Sequence, residues 1–181
     1  MRNEMSLKFL KSLLFLAIAI VGFVRAMYDV RIETFTKIKG DIETLMEFNL
    51  RLIGRQHLLN GTIVNHVDFD DTFEIFSHVE SFVNGEWKAS PMAVRLKVCA
   101  FMDRIYGKYW ESSLKDSNMP IGKEACPFKK GEYHIKNVEF HADNWATYAK
   151  RGQNMIELRI LKNNITYGGF VSTGFLIDRN I

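Results

Sequence analysis

Cys99 and Cys126 are the two residues of this chain with the widest chemical choice. A thiol pair can hold a metal, act as nucleophile and resolver, or close a disulfide. Neither cysteine has a histidine or a second cysteine at ligand spacing. The histidines are His57, His66, His78, His134 and His141, and no His-x-x-x-His occurs among them. The nearest thing to a metal cluster is His66-Val67-Asp68-Phe69-Asp70-Asp71. On a strand, His66, Asp68 and Asp70 fall on one side and could hold a cation. The glycine and distal glutamate of a calcium loop are missing, so a solvated strand end is the simpler reading and no metal is expected. The mature serines, Ser77, Ser81, Ser90, Ser112, Ser113, Ser117 and Ser172, sit in no Gly-x-Ser-x-Gly context. Gly168-Gly169 lacks the rest of a phosphate loop. With no catalytic constellation in view, the expectation is a non-enzymatic protein without a cofactor.

The fate of the thiols depends on the compartment in which they fold. The chain has 181 residues, and the first 26 read as a secretory signal. Arg2, Lys8 and Lys11 make a basic start. Leu13 to Val24 is an apolar run broken only by Gly22, and Val24-Arg25-Ala26 supplies a cleavage signature. Twelve helical residues reach about 18 Å, short of the roughly 30 Å of a bilayer core. A cleaved signal is therefore favoured over an anchor, and no stable membrane span is expected. Residues 27–181 remain as one secreted, extracellular domain. Two cysteines in such a domain most simply form one bond, closing a loop of about 28 residues at about 3–4 kcal/mol. Two buried free thiols are the alternative. The triplets Asn60-Gly61-Thr62 and Asn164-Ile165-Thr166 mark Asn60 and Asn164 as glycosylation acceptors.

Removing four basic residues (Arg2, Lys8, Lys11, Arg25) and one acidic residue (Glu4) from totals of 24 and 21 leaves 20 of each. The mature domain is formally neutral, which argues against nucleic acid as a partner.

The elements that must position these residues are mostly strands. Tyr28, Val30 and Ile32 alternate with Asp29, Arg31 and Glu33. Phe48, Leu50 and Leu52 alternate with Asn49 and Arg51, which predicts a strand over about 44–52, although a helix over 41–53 also fits the spacing. A weaker strand covers His57 to Val67. Thr72 to Val83 alternates more clearly and ends at Asn84-Gly85, a hairpin signal because both residues tolerate positive φ. The return strand contains Pro91, which predicts an edge or a bulge there. The period then changes. Phe101, Met102, Ile105, Tyr106, Tyr109, Trp110 and Leu114 recur at spacings of three and four, which predicts one inserted helix over about 100–114. Strands return after Cys126-Pro127, with a parity slip near Lys136-Asn137 that predicts a bulge. Trp145 and Tyr148 read as packed down within a loop. Ile156, Leu158 and Ile160 make a clean strand, and the last one, Tyr167 to Asp178, is apolar on both parities. About eight short strands and one helix predict a mainly β fold, an antiparallel β-sandwich.

The aromatic content leaves two readings open, a filled core or a cavity between the sheets that takes an apolar ligand. Strand parity turns Phe73, Ile75, Val79, Val94, Leu96, Leu158, Ile160, Phe170 and Phe175 inward, and these are the candidate lining.

Some of the residues also carry a family likeness. Cys99-Ala100-Phe101 followed by a helix, Asn118-Met119-Pro120, Cys126-Pro127, Gly131-x-Tyr133-x-Ile135-x-Asn137 and a final Gly-rich strand resemble a large insect family of secreted proteins with no assigned function. That family is thought to be related to the ML lipid-recognition domain and to ganglioside-activator-like chemosensory proteins. The resemblance covers roughly residues 60–178, and Cys-Pro…Gly-x-Tyr is its most specific part. It implies an immunoglobulin-like β-sandwich whose sheets part to admit a lipid, and a link to taste and pheromone detection. Many ML proteins carry several disulfides where this chain can make one, which implies a cavity held by fewer clamps. Two functions follow as expectations. One is a carrier of a lipid or other apolar small molecule. The other is a recognition module with a filled core that binds a receptor protein.

Overall fold

The computed structural model describes residues 28–114, 116–142 and 150–178, with the backbone alone at 91, 92 and 141. The signal reading of residues 1–26 and the packing of Trp145 and Tyr148 lie outside the described residues. The strands are β1 (Tyr28–Ile38), β2 (Met46–Ile53), β3 (Leu58–Asn65), β4 (Glu74–Val83), β5 (Glu86–Lys97), β6 (Gly131–Val138), β7 (Phe140–His141), β8 (Gly152–Lys162) and β9 (Ile165–Asp178). They form two antiparallel sheets packed as a sandwich. The larger has the order β5-β4-β8-β9-β1-β7 and the smaller β2-β3-β6. The expected sandwich with one helix is therefore present.

Local chemistry sets the register. Asn84-Gly85 (φ 55° and 83°) closes β4 onto β5 with Val83 opposite Glu86. Asn163-Asn164 (φ 53° and 64°) does the same for β8 and β9. Both are two-residue turns with positive φ at each position, the geometry that matches strand twist. Pro91 lies on β5, which is an edge strand, within a register shift opposite Val79. The predicted bulge on β6 is there too. Leu59 pairs with Val138 but Gly61 with Ile135, and Asn137 takes φ 49°. A second bulge, between Ile32 and Thr34 on β1, turns Phe35 to the same side as Ile32. Residues 46–53 are a strand and not a helix, and β3 is the central strand of its sheet. Gly168 lies near the start of β9. A side chain there would meet the Met46 carbonyl oxygen at 2.2 Å, so glycine is what lets β9 pass beneath β2.

The three-stranded sheet is too narrow to cover six strands. β2 lies against β1 and β9, and the uncovered part over β4 and β5 is met by α1 (98–109). The helix starts two residues earlier than expected and ends five earlier. Val98 N–H still bonds to the Phe73 carbonyl in strand fashion, at 3.2 Å, although the helix begins at Val98. At the other end Trp110 leaves the helical region (φ −120°), and a tight turn over Glu111–Ser113 follows. In the middle, Gly107 N–H reaches back five residues to Met102, a wide turn. The Cys99–Cys126 disulfide, with Cα atoms 5.2 Å apart, ties the first turn of α1 to the segment before β6. That segment is itself held by a reciprocal backbone pair, Phe69 N–H to Phe128 O at 2.8 Å and the reverse at 2.9 Å. The disulfide fits an oxidising compartment. Among the described residues no helix is long and apolar enough to cross a membrane.

Candidate ligand cavity

The inner face of the large sheet loses bulk along its length. At one end Phe73 is buried, with Phe69 at 4.8 Å, Tyr167 at 6.0 Å and the Lys162 ammonium 4.7 Å from its ring. Two residues on, Ile75 pairs with Ile160. Beyond them the rows across β4, β8 and β9 run Ser77–Leu158–Phe170, Val79–Ile156–Ser172 and Ser81–Asn154–Gly174. Every one of these rows contains a serine, and the last has only small or polar residues. Facing layers stand about 10 Å apart, so short side chains leave space between them.

That space is a cavity of about 200 Å3. The floor comes from β4, β8 and β9. The roof is the apolar face of α1 (Phe101, Met102, Ile105, Tyr106, Tyr109) with Trp110 and Leu114 beyond it, and the side wall is Phe48, Leu59, Ile63 and Ile135 of the small sheet. Phe170 holds the centre, stacked on Phe35 at 4.9 Å and edge-on to Phe48 at 5.1 Å. The volume far exceeds the roughly 10–15 Å3 that one water needs, yet water also needs two to four polar partners. Few are on offer. Tyr106 donates to the Pro120 carbonyl at 3.0 Å, and burial pushes its hydroxyl far above the usual phenol range, so it stays neutral. The Ser172 hydroxyl donates to Thr34 O at 3.0 Å. Asn154 closes one end, accepting from Ser81 at 2.7 Å and donating to Lys150 O and Gly152 O at 2.7 and 2.9 Å. No charged side chain lines the cavity among the described residues.

Of the nine residues turned inward by parity, Ile75, Val79, Val94, Leu158, Ile160, Phe170 and Phe175 line this space. Phe73 and Leu96 do not. Both sit where α1 leaves the sheet: Phe73 is buried in the core and Leu96 is half-buried against it. Phe175 borders the cavity, but alternation with Gly174 and Leu176 sets its side chain on the outer face, and it is 37% exposed. The two-sided apolar character of β9 follows from this: Phe170 and Leu176 point in, while Phe175 and Ile177 stay at the surface. Parity missed the roof. The face of α1 was visible in its spacing of three and four, but nothing in that spacing separates a residue that packs from one that lines.

The remaining polar candidates are committed elsewhere. Asn60 lies on β3, its amide 3.2 Å from Asn137, and Asn164 in its turn accepts from Arg95 at 2.7 Å. His66, Asp68 and Asp70 do not converge. His66 reaches Glu47 at 2.8 Å, and that bond, with one from Asn49, lowers the Glu47 carboxyl. Asp68 accepts from the Lys130 N–H at 2.7 Å and Lys129 at 2.9 Å, which holds it below the usual carboxylate range. Asp70 is lowered by the Thr72 hydroxyl and N–H. Burial, then Asp68, raises Tyr133.

Comparison with curated proteins finds none that matches the chain. The stretch that carries β4, β5, α1, the disulfide and β6 does have relatives: residues 72–156 match the family described as Protein of unknown function (DUF1091).

Proposed function

We propose that the protein is a secreted, non-enzymatic binding protein for a lipid or other apolar ligand. The observation that carries this reading is the cavity of about 200 Å3 beneath α1, too large to leave empty without cost and too poor in polar partners to hold water well. An apolar guest gains contacts with the lining at no desolvation cost to the walls. Hydrocarbon side chains hold a molecule but supply neither a nucleophile nor a general base, which favours binding over catalysis. The disulfide supports export. The likeness to ML and ganglioside-activator-like chemosensory proteins belongs to this proposal and directs it toward a carrier in an extracellular fluid. Native mass spectrometry of the secreted protein, followed by organic extraction, tests it. A co-purifying apolar species, or displacement of a fluorescent apolar probe from the protein, supports the reading. A ligand-free protein that takes up no probe overturns it.

A second reading, a module that recognises a receptor protein, has its own support. Phe82 and Trp87 pair edge-on at 5.2 Å beside the β4–β5 turn, and both are large apolar rings left exposed. Exposed aromatic pairs of this kind serve as anchors in protein interfaces. A receptor-binding assay in which Phe82→Ser abolishes capture while leaving probe uptake intact would favour it.

A further inference from the structure

We infer that the ligand is a small, neutral molecule of about eight non-hydrogen atoms with one hydrogen-bonding oxygen, held at Ser77. The inference rests on the carrier reading and narrows it. Size comes first. An apolar cavity of about 150 Å3 accommodates benzene, with six heavy atoms, so about 200 Å3 accommodates about eight in proportion. Charge comes second. Among the described residues the lining offers no cation to pair with a bound carboxylate or phosphate and no carboxylate to pair with an amine. An unpaired ion taken from water into such walls is strongly disfavoured. The polar anchor comes third. Tyr106, Ser172 and Asn154 already spend their donor hydrogens on protein partners, so none of them has a free hydrogen to offer a ligand oxygen. Thr173 is paired with Thr34 at 2.6 Å. Ser77 is different. The residue is buried, it lines the cavity between Ile75 and Val79, and its hydroxyl takes part in no side-chain hydrogen bond among the described residues. A hydroxyl that faces apolar walls without a protein partner is the point at which a ligand oxygen gains a hydrogen bond.

The test uses the secreted full chain and displacement of a fluorescent apolar probe by straight-chain alcohols, carboxylates and alkanes of about six to fourteen carbons. Affinity should rise about fourfold per methylene and then level off near about eight heavy atoms. At pH 7.5 each short alcohol should bind at least about tenfold more tightly than the carboxylate of equal length. Ser77→Ala, checked for unchanged thermal unfolding, should remove the two- to tenfold advantage of alcohol over alkane expected for one hydrogen bond and leave the chain-length break in place. Carboxylates that match alcohols, or affinity that goes on climbing past about ten heavy atoms, would overturn the inference and leave a carrier of longer-chain lipid. If the probe itself never binds, the carrier reading falls first.

Discussion

β4 has two ends that share one inward parity and meet opposite fates. At the Phe73 end three aromatic rings, a lysine stem and the start of α1 fill the space between layers. From Ser77 onward the same face carries Ser77, Val79 and Ser81, the layers stay apart, and a cavity results. Alternation decides which face a residue is on. Side-chain volume, row by row, decides whether that face closes. A sandwich can be solid at one end and hollow at the other without any change in its backbone.

The largest effect expected from this contrast is at the closed end. Phe73→Ala should remove about 3–5 kcal/mol of stability and leave probe affinity within about threefold, because Phe73 is not part of the lining. Urea unfolding and probe displacement on the same sample check both halves. A variant that unfolds normally and no longer binds would erase the distinction between the ends.

Next comes the disulfide. Replacing Cys99 and Cys126 together by serine should cost about 3 kcal/mol. Because the bridge holds the first turn of α1, which roofs the cavity, binding should weaken as well. Stability lost with affinity unchanged would mean that the roof is held by its own packing against Phe170 and the small sheet.

At the open end the sign reverses. Ser172→Leu introduces bulk that would cost about 1–3 kcal/mol in a filled core. Here it enters empty space, so stability should change by less than about 1 kcal/mol, while affinity falls more than about tenfold. A large destabilisation would show that this end has no room.

How much of this could be read before the fold was known follows from the same distinction. The main strands, the Asn84-Gly85 turn, the bulge at Asn137, the disulfide and the apolar face of α1 are local or period-based, and each was legible. The ends of α1 were not, since Val98 opens the helix while its N–H keeps a strand-type bond to Phe73, and Trp110 leaves the helical region with its ring 5.8 Å from that of Phe101. Both are tertiary contacts. The lining was half legible. Seven of the nine inward candidates border the cavity, but Phe73 and Leu96 have equally good parity and pack in or against the core instead. Separating them needs the height of the layer above, which the strand itself does not encode. Phe175 was misled by β9, where apolar residues on both parities hid which set was turned inward.

The smallest effect concerns acid, and it too should divide the two ends. Asp68 grips Lys129 and Lys130 beside the Phe69–Phe128 backbone pair, at the closed end. Its carboxyl is lowered from an ordinary value near 3.8 by those bonds, and Glu47 and Asp70 are lowered as well. A carboxylate whose folded pKa is depressed contributes stability that is fully present above its unfolded pKa and is lost as pH falls through the folded one. The loss should therefore begin only below about pH 4. Amide exchange at Phe69 and Phe128 should report it first, speeding up in that range by a factor that Asp68→Asn removes, with the variant fast at every pH. Probe affinity should stay flat from about pH 8 to pH 4, because among the described residues no charged side chain lines the cavity and the Tyr106 hydroxyl remains neutral throughout. An affinity that moves through that range would place at the open end a group that titrates there, where the described lining has none.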